Sequence, residues 1–447
     1  MTPATSPEPP LSRPRATGPA ALALLAAAVA ALALIPGFVD HGVWSQGEIG
    51  ALQRAQAALG AALSGLERSP WLPDALRTQA LALLGDPAAI RLPGAIASCG
   101  LVGLAAGLAR ALGFPPAIAL LAGGFALAFP LTLTQGRLAL GDPVGELCSA
   151  LAAVLLAAAT SSPRLPRALA LALAGLAALA LALLSSGLWL GVVLPLAVAA
   201  LHPGTPDMSD RACSHEHAQT NMSLKPPRPP LRRLRLVLVA LALAGAGLVA
   251  WLVYHQGDGY IPLLGAAKDT ALRERPHMRG FHAALEDCGY QLYPWLPLVL
   301  LGVLQAGRAR WPALWLALGL AMASAWSLVY GARAVPLTVP AAVLAAAAFA
   351  RLTGPRAPRA ARRLVLVLAL AGLWIFAKDA RRTPSRIGVP LLPAKGEHTY
   401  PADELGARDL LAGLAGAGAL ALALSYLLSA PGPNGHVSSP IFARIDR

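Results

Sequence analysis

Residues 168–201 read ALALALAGLAALALALLSSGLWLGVVLPLAVAAL, with no charged residue anywhere in the run. A bilayer core takes about 20 apolar residues per helical crossing. The run is too long for one straight helix, and Ser185-Ser186-Gly187 in its middle has the composition of a turn. It reads as two short helices in succession. The chain around it reads as a polytopic all-α membrane protein, since lipid offers no partner for an unpaired backbone group.

Composition agrees. Of 447 residues, 56% are hydrophobic and 13% charged, where a soluble domain carries about 25% charged residues. Mean hydropathy is +0.59. These values exclude a soluble enzyme, a disordered chain and a secreted disulfide scaffold. Cys99, Cys148, Cys213 and Cys288 show no paired spacing. Much of the apolar content is Ala and Leu, which suits close helix packing in a bilayer.

Working outward, uncharged apolar stretches occur at 17–39, 92–109, 114–136, 147–163, 168–201, 236–254, 290–307, 311–332, 334–350, 364–377 and 410–430. With 168–201 counted twice, about 12 crossings are expected. Placing the N-terminus in the cytoplasm puts essentially all of the net charge of +14 on the inner side. The dense basic runs at 225–235 and 351–363 both fall there, as the positive-inside rule requires. The charge therefore implies no nucleic-acid partner. It fits a multi-pass protein of the plasma (inner) membrane with both termini cytoplasmic.

The resulting organisation is a disordered cytoplasmic segment (1–16), an N-terminal transmembrane core (17–201) with an outer loop at 40–91, and a basic cytoplasmic linker (202–235). A C-terminal transmembrane region (236–430) follows, with outer loops at 255–289 and 378–409, then a cytoplasmic tail (431–447). Within the first outer loop, 47–66 and 72–84 have helical patterns separated by Ser69-Pro70, and read as helices lying at the membrane surface.

Two acidic residues fall on the outer face at the membrane boundary. Glu48 lies in Trp44-Ser45-Gln46-Gly47-Glu48-Ile49, and Asp142 follows Arg137-Leu138-Ala139-Leu140-Gly141. Carboxylates converging there would bind a cation, or deprotonate an acceptor hydroxyl or amine. Arg137 would offer paired donors to a phosphate. On spacing alone, the same residues read more readily as ordinary loop charges. Cys213-Ser214-His215-Glu216-His217, the sequon Asn221-Met222-Ser223, and His255, His277 and His282 are weaker patterns, read as solvated or loop-packing residues.

Arg91-Leu92-Pro93-Gly94-Ala95, the polar turn at 110–116, and Arg137 followed after four residues by Asp142 resemble the core of membrane glycosyltransferases of the protein O-mannosyltransferase and lipid A aminoarabinose transferase type. These are the family 39 enzymes with the GT-C fold. The stretch from Trp44 to Glu48 stands where that group has its first acidic motif. Ser69-Pro70-Trp71-Leu72 resembles its Pro-containing segment, and Tyr293-Pro294-Trp295 an aromatic entry to a later helix. The resemblance is best over 17–165.

It implies an enzyme that passes a sugar from a polyprenyl phosphate to a lipid, glycan or protein acceptor on the outer face, among membrane lipids. Glu48 would be the general base, with Asp142 as the second acid assisting the base or a divalent cation. Arg137, Lys268, Arg273, Arg275 and Arg279 would meet the donor phosphate. A Glu48→Gln variant is expected to keep the fold and lose transfer. The alternatives are a polytopic transporter or lipid flippase, which the scarcity of ionisable residues deep in the spans disfavours, or a catalytically degenerate relative.

Overall fold

Proline sets most of the helix starts. Pro19, Pro93, Pro116, Pro130, Pro143, Pro166 and Pro195 each occupy one of the first two positions of a helix, where the missing N–H costs nothing and the fixed φ is already helical. The computed structural model describes residues 18–35, 46–60, 71–139, 141–202, 234–256, 281–292, 295–330 and 336–353, with six single positions between 363 and 378. Among the described residues the protein is entirely helical. The N-terminal half comprises α1 (Pro19–Leu34), α2 (Gln46–Gly60), α3 (Trp71–Leu84), α4 (Leu92–Ala111), α5 (Pro116–Ala128), α6 (Pro130–Arg137), α7 (Pro143–Ser161), α8 (Leu165–Leu188) and α9 (Leu194–Ala200). After the linker come α10 (Leu234–Gln256), α11 (Phe281–Leu292), α12 (Leu296–Leu304), α13 (Arg310–Tyr330) and α14 (Thr338–Thr353).

Small residues let these helices approach. A Cβ at Gly103 of α4 would stand 2.7 Å from the Ala23 carbonyl oxygen of α1. On α14, Ala341, Ala342, Ala345 and Ala346 are all fully buried, where the helix packs against α12, α5 and α4. In lipid, where apolar burial alone does not hold helices together, such close packing is the main source of cohesion. Helices α4 and α7 form the centre of the N-terminal half. Along α8 and α10 most of the apolar surface stays open, including Leu173, Leu236 and Leu243, as a face toward lipid would be.

Four segments are long and apolar enough to cross a bilayer: Pro87–Ala111, Pro143–Ser161, Leu165–Ala200 and Leu234–Trp251. The pair α5 and α6, bent by 64°, makes a fifth if it counts as one span. The protein is thus a multi-pass, all-helical membrane protein, and the full count of 12 extends past what these segments establish. Parts of the other expected spans are helical as α1, α11 with α12, α13 and α14. The expected span at 410–430, the outer loop at 378–409 beyond its first residue, and the terminal segments lie outside the described residues.

The long segment Leu165–Ala200 does not run straight. Gly187 takes φ 73° and ψ −174°, a conformation open to residues without a Cβ. A π-helical turn, Trp189–Val193, follows. The chain doubles back there, so that a Cβ on Gly191 would lie 2.2 Å from the Ala182 carbonyl oxygen. The two limbs can be located by their ends. Ser185 and Ser186 reach Asp142 at the start of α7, while His202, just past α9, meets Ser161 at the end of α7. Each limb therefore travels the length of α7, and Ser185-Ser186-Gly187 is the turn between them.

At the far end of that return limb, His202 packs edge-on against Trp311 with ring centroids 4.7 Å apart. Its Nδ1 lies 3.4 Å from the Ser161 hydroxyl oxygen. Burial, reinforced by the charge of Arg235, pushes the imidazole down to about 4. The unfolded chain takes up this proton near pH 6.5, so the neutral ring stabilises the native state above that pH, and the contribution is lost as pH falls toward 4. Thermal unfolding of the purified protein should accordingly show a Tm that declines between pH 6.5 and 4. A His202→Phe variant should flatten that decline.

Candidate functional site

The short connection from Ala139 to Asp142, between α6 and α7, is gripped from three directions. From α2, Glu48 accepts the Ala139 N–H at 2.9 Å. From α3, Arg77 donates to the Gly141 carbonyl at 3.1 Å and, at 3.5 Å, to that of Ala139. From the turn at the end of α8, Ser185 and Ser186 donate to Asp142. Helices α2 and α3 and the doubled-back hairpin thus converge on Ala139, Gly141 and Asp142.

Glu48 is wholly buried, and so is Arg91, the residue opening α4. Arg91 Nε donates to Oε1 of Glu48 at 2.8 Å and Nη2 to Oε2 at 3.2 Å, a two-pronged pair that fixes both side chains. Away from water a lone carboxylate or guanidinium would be very costly; together they balance. A second ion-pair chain, Arg54 to Asp74 at 3.0 Å and Asp74 to Arg77 at 3.0 Å, binds α2 to α3 and orients Arg77.

Asp142 is the N-cap of α7, accepting the Gly145 N–H at 2.8 Å, the ordinary duty of an Asp before a helix. It also accepts from Ser185 Oγ at 2.8 Å on Oδ1 and from Ser186 Oγ at 3.1 Å on Oδ2. The packing leaves no space at Gly145, where a Cβ would fall 2.1 Å from Ser186 Oγ and 2.3 Å from Asp142 Oδ2. Unlike Glu48, Asp142 is only half-buried, beside an exposed Gly141. One turn further along α7, the buried Glu146 accepts the Thr338 N–H at 2.8 Å, fastening the start of α14 to the same end of α7.

The structure therefore brings Glu48 and Asp142 to the same short connection, from α2 and from the head of α7. Arg137 closes α6 two residues before Ala139, nearly buried, and points one Nη at the Ala33 carbonyl of α1 at 3.4 Å. Lys268, Arg273, Arg275 and Arg279 lie outside the described residues, as do Trp44, Ser69, Pro70, Tyr293, Pro294 and the linker motifs at 213–217 and 221–223. Among the described residues, no three His, Cys, Asp or Glu side chains gather closely enough to hold a metal ion.

Several contributors were not singled out from sequence as site residues. Arg91 heads the Arg-Leu-Pro stretch, and nothing in its spacing names Glu48 as its partner. The Asp74–Arg77 spacing, three residues apart on one helix face, was a usable signal. Asp142-Pro143 was another, marking a helix start. Taking the span to begin at 147 leaves Glu146 outside it, whereas α7 starts at Pro143 and carries Glu146 inside.

No family profile and no curated protein sequence matches this chain. Two solved structures do, both of ArnT from Cupriavidus metallidurans. The apo form superposes with a TM-score of 0.55 at 16% identity, over 91% of this chain and 71% of that one. The form bound to undecaprenyl phosphate gives a TM-score of 0.57 at 16% identity, over 91% and 72%. The chain has the ArnT fold.

The buried pair alters one expectation within the ArnT fold. Glu48→Gln removes the carboxylate charge onto which the buried Arg91 forks, so the substitution perturbs the fold as well as any chemistry. Breaking such a pair from one side costs about 3–5 kcal/mol. Thermal melts should show Glu48→Gln and Arg91→Ala each strongly destabilised. The double replacement Glu48→Leu with Arg91→Met should be less harmful than either single change.

Proposed function

We propose that the chain is an integral membrane glycosyltransferase, moving a sugar from a polyprenyl-phosphate donor to a lipid, glycan or protein acceptor on the outer face of the inner membrane, with both termini cytoplasmic. The observation that carries this reading is the ArnT fold over 91% of the chain, one of the matched structures being bound to undecaprenyl phosphate. The convergence of Glu48 and Asp142 on the connection between α6 and α7 supports it.

In such a transfer an acceptor oxygen or nitrogen attacks the anomeric carbon. The new bond forms as the bond from that carbon to the phosphate oxygen breaks. The electron pair leaves with the polyprenyl phosphate, and the acceptor's proton passes to a carboxylate. We assign that proton to Asp142, which lies half-buried beside exposed backbone. Glu48, fully buried and forked by Arg91, holds the connection in place from behind. Arg137 is proposed to meet the donor phosphate, with Lys268, Arg273, Arg275 and Arg279 of the following outer loop. Their charge would stabilise the negative charge that develops on the leaving group.

A lipid flippase is the second reading. Broken helices are a mark of carriers, and α5 and α6 form such a bent pair, at 64°. Glu146, buried at the head of a span, adds an ionisable group of the kind carriers use. The two readings differ in their products. In lipid nanodiscs, the transferase should release undecaprenyl phosphate from undecaprenyl-phosphate mannose or aminoarabinose, only when acceptor is present. Asp142→Asn should lower that rate by about 100-fold or more. Movement of the intact lipid between leaflets without sugar release would overturn the proposal.

A further inference from the structure

We propose that Ser185 and Ser186 are positioning residues for Asp142, so that the break in α8 belongs to the reaction site rather than only to the membrane scaffold. This inference rests on the transferase reading and adds to it the part played by the second hairpin limb.

Three observations point the same way. Serine hydroxyls inside an apolar helix ordinarily bond back to the carbonyl one turn earlier. Here both reach a carboxylate more than 40 positions away in the chain, with Ser185 at 2.8 Å from Oδ1 and 3.0 Å from Oδ2, and Ser186 at 3.1 Å from Oδ2. Ser185 is wholly buried, so its hydroxyl is not an incidental surface contact. The backbone is shaped to deliver them. Gly187 in its positive-φ conformation turns the chain immediately afterwards, and Gly145 leaves room for Ser186 Oγ where any side chain would strike it.

A helix cap alone needs one acceptor oxygen and the N–H of Gly145. Two further donors, one to each oxygen, fix the rotation of the carboxylate about its last bond. That is the coordinate a proton acceptor must hold to face an incoming nucleophile. The arrangement also orders the site, because the hairpin turn and the α6–α7 connection cannot shift independently while these bonds persist.

The test uses the full chain in nanodiscs with undecaprenyl-phosphate mannose and undecaprenyl-phosphate aminoarabinose as donors. Ser185→Ala with Ser186→Ala should lower kcat by about 10-fold or more, with donor KM and undecaprenyl phosphate binding unchanged. Ser186→Thr on the Ser185→Ala background should restore part of the loss. Ser149→Ala is the structural control, since it removes a buried hydroxyl bond from α7 to the Leu190 carbonyl without touching Asp142. It should leave kcat within about twofold.

If the double variant does not fold, the single variants Ser185→Cys and Ser186→Ala, measured per folded molecule, carry the same expectation. Unchanged kcat in the serine variants overturns the inference and leaves the transferase reading intact. A loss that follows Tm equally in Ser149→Ala does the same. Absence of turnover by the parent chain with either donor overturns both.

Discussion

A bidentate ion pair buried away from water, Glu48 with Arg91, governs the arrangement of everything around it. Its two partners come from opposite ends of the segment that separates α1 from α4: Glu48 from the first turn of α2 and Arg91 from the residue before α4. Because neither charge tolerates separation in that environment, the segment is compelled to fold back onto the start of its own following helix. The spare capacity of the Glu48 carboxylate then takes the Ala139 N–H, and a surface ornament becomes a fixed wall of the site. The Arg54–Asp74–Arg77 chain extends the same restraint through α3 to the Gly141 carbonyl.

Much of the architecture was legible because lipid imposes few options. Uncharged runs with proline at their starts and glycine at close approaches leave little besides helices. The turn in the long run at 168–201 was visible as three small polar or flexible residues, Ser185-Ser186-Gly187, within an otherwise apolar stretch. The helical patterns on either side of Ser69-Pro70 appear as α2 and α3.

The site was legible in its parts but not in its pairings. The sequence marks Glu48 and Asp142 as acids close to apolar runs. It does not show that Arg91 claims the first while two serines more than 40 positions on claim the second. Such long-range partners depend on helix rotation, which an Ala- and Leu-rich sequence scarcely encodes. The same blindness hid Glu146, whose partner Thr338 N–H lies 192 positions away. Its place inside α7 depended on a helix start four residues ahead of the first long apolar run.

The reversal at Gly187 bears on how the chain enters its membrane. Its tip carries two hydroxyls and no formal charge, so a nascent hairpin can push that tip through the bilayer without dragging an ion across hydrocarbon. Synthesis runs from the N-terminus, so α7 and its capping carboxylate are in place first. The arriving serines then find an acceptor already waiting, and the bonds they make latch the hairpin to the head of α7.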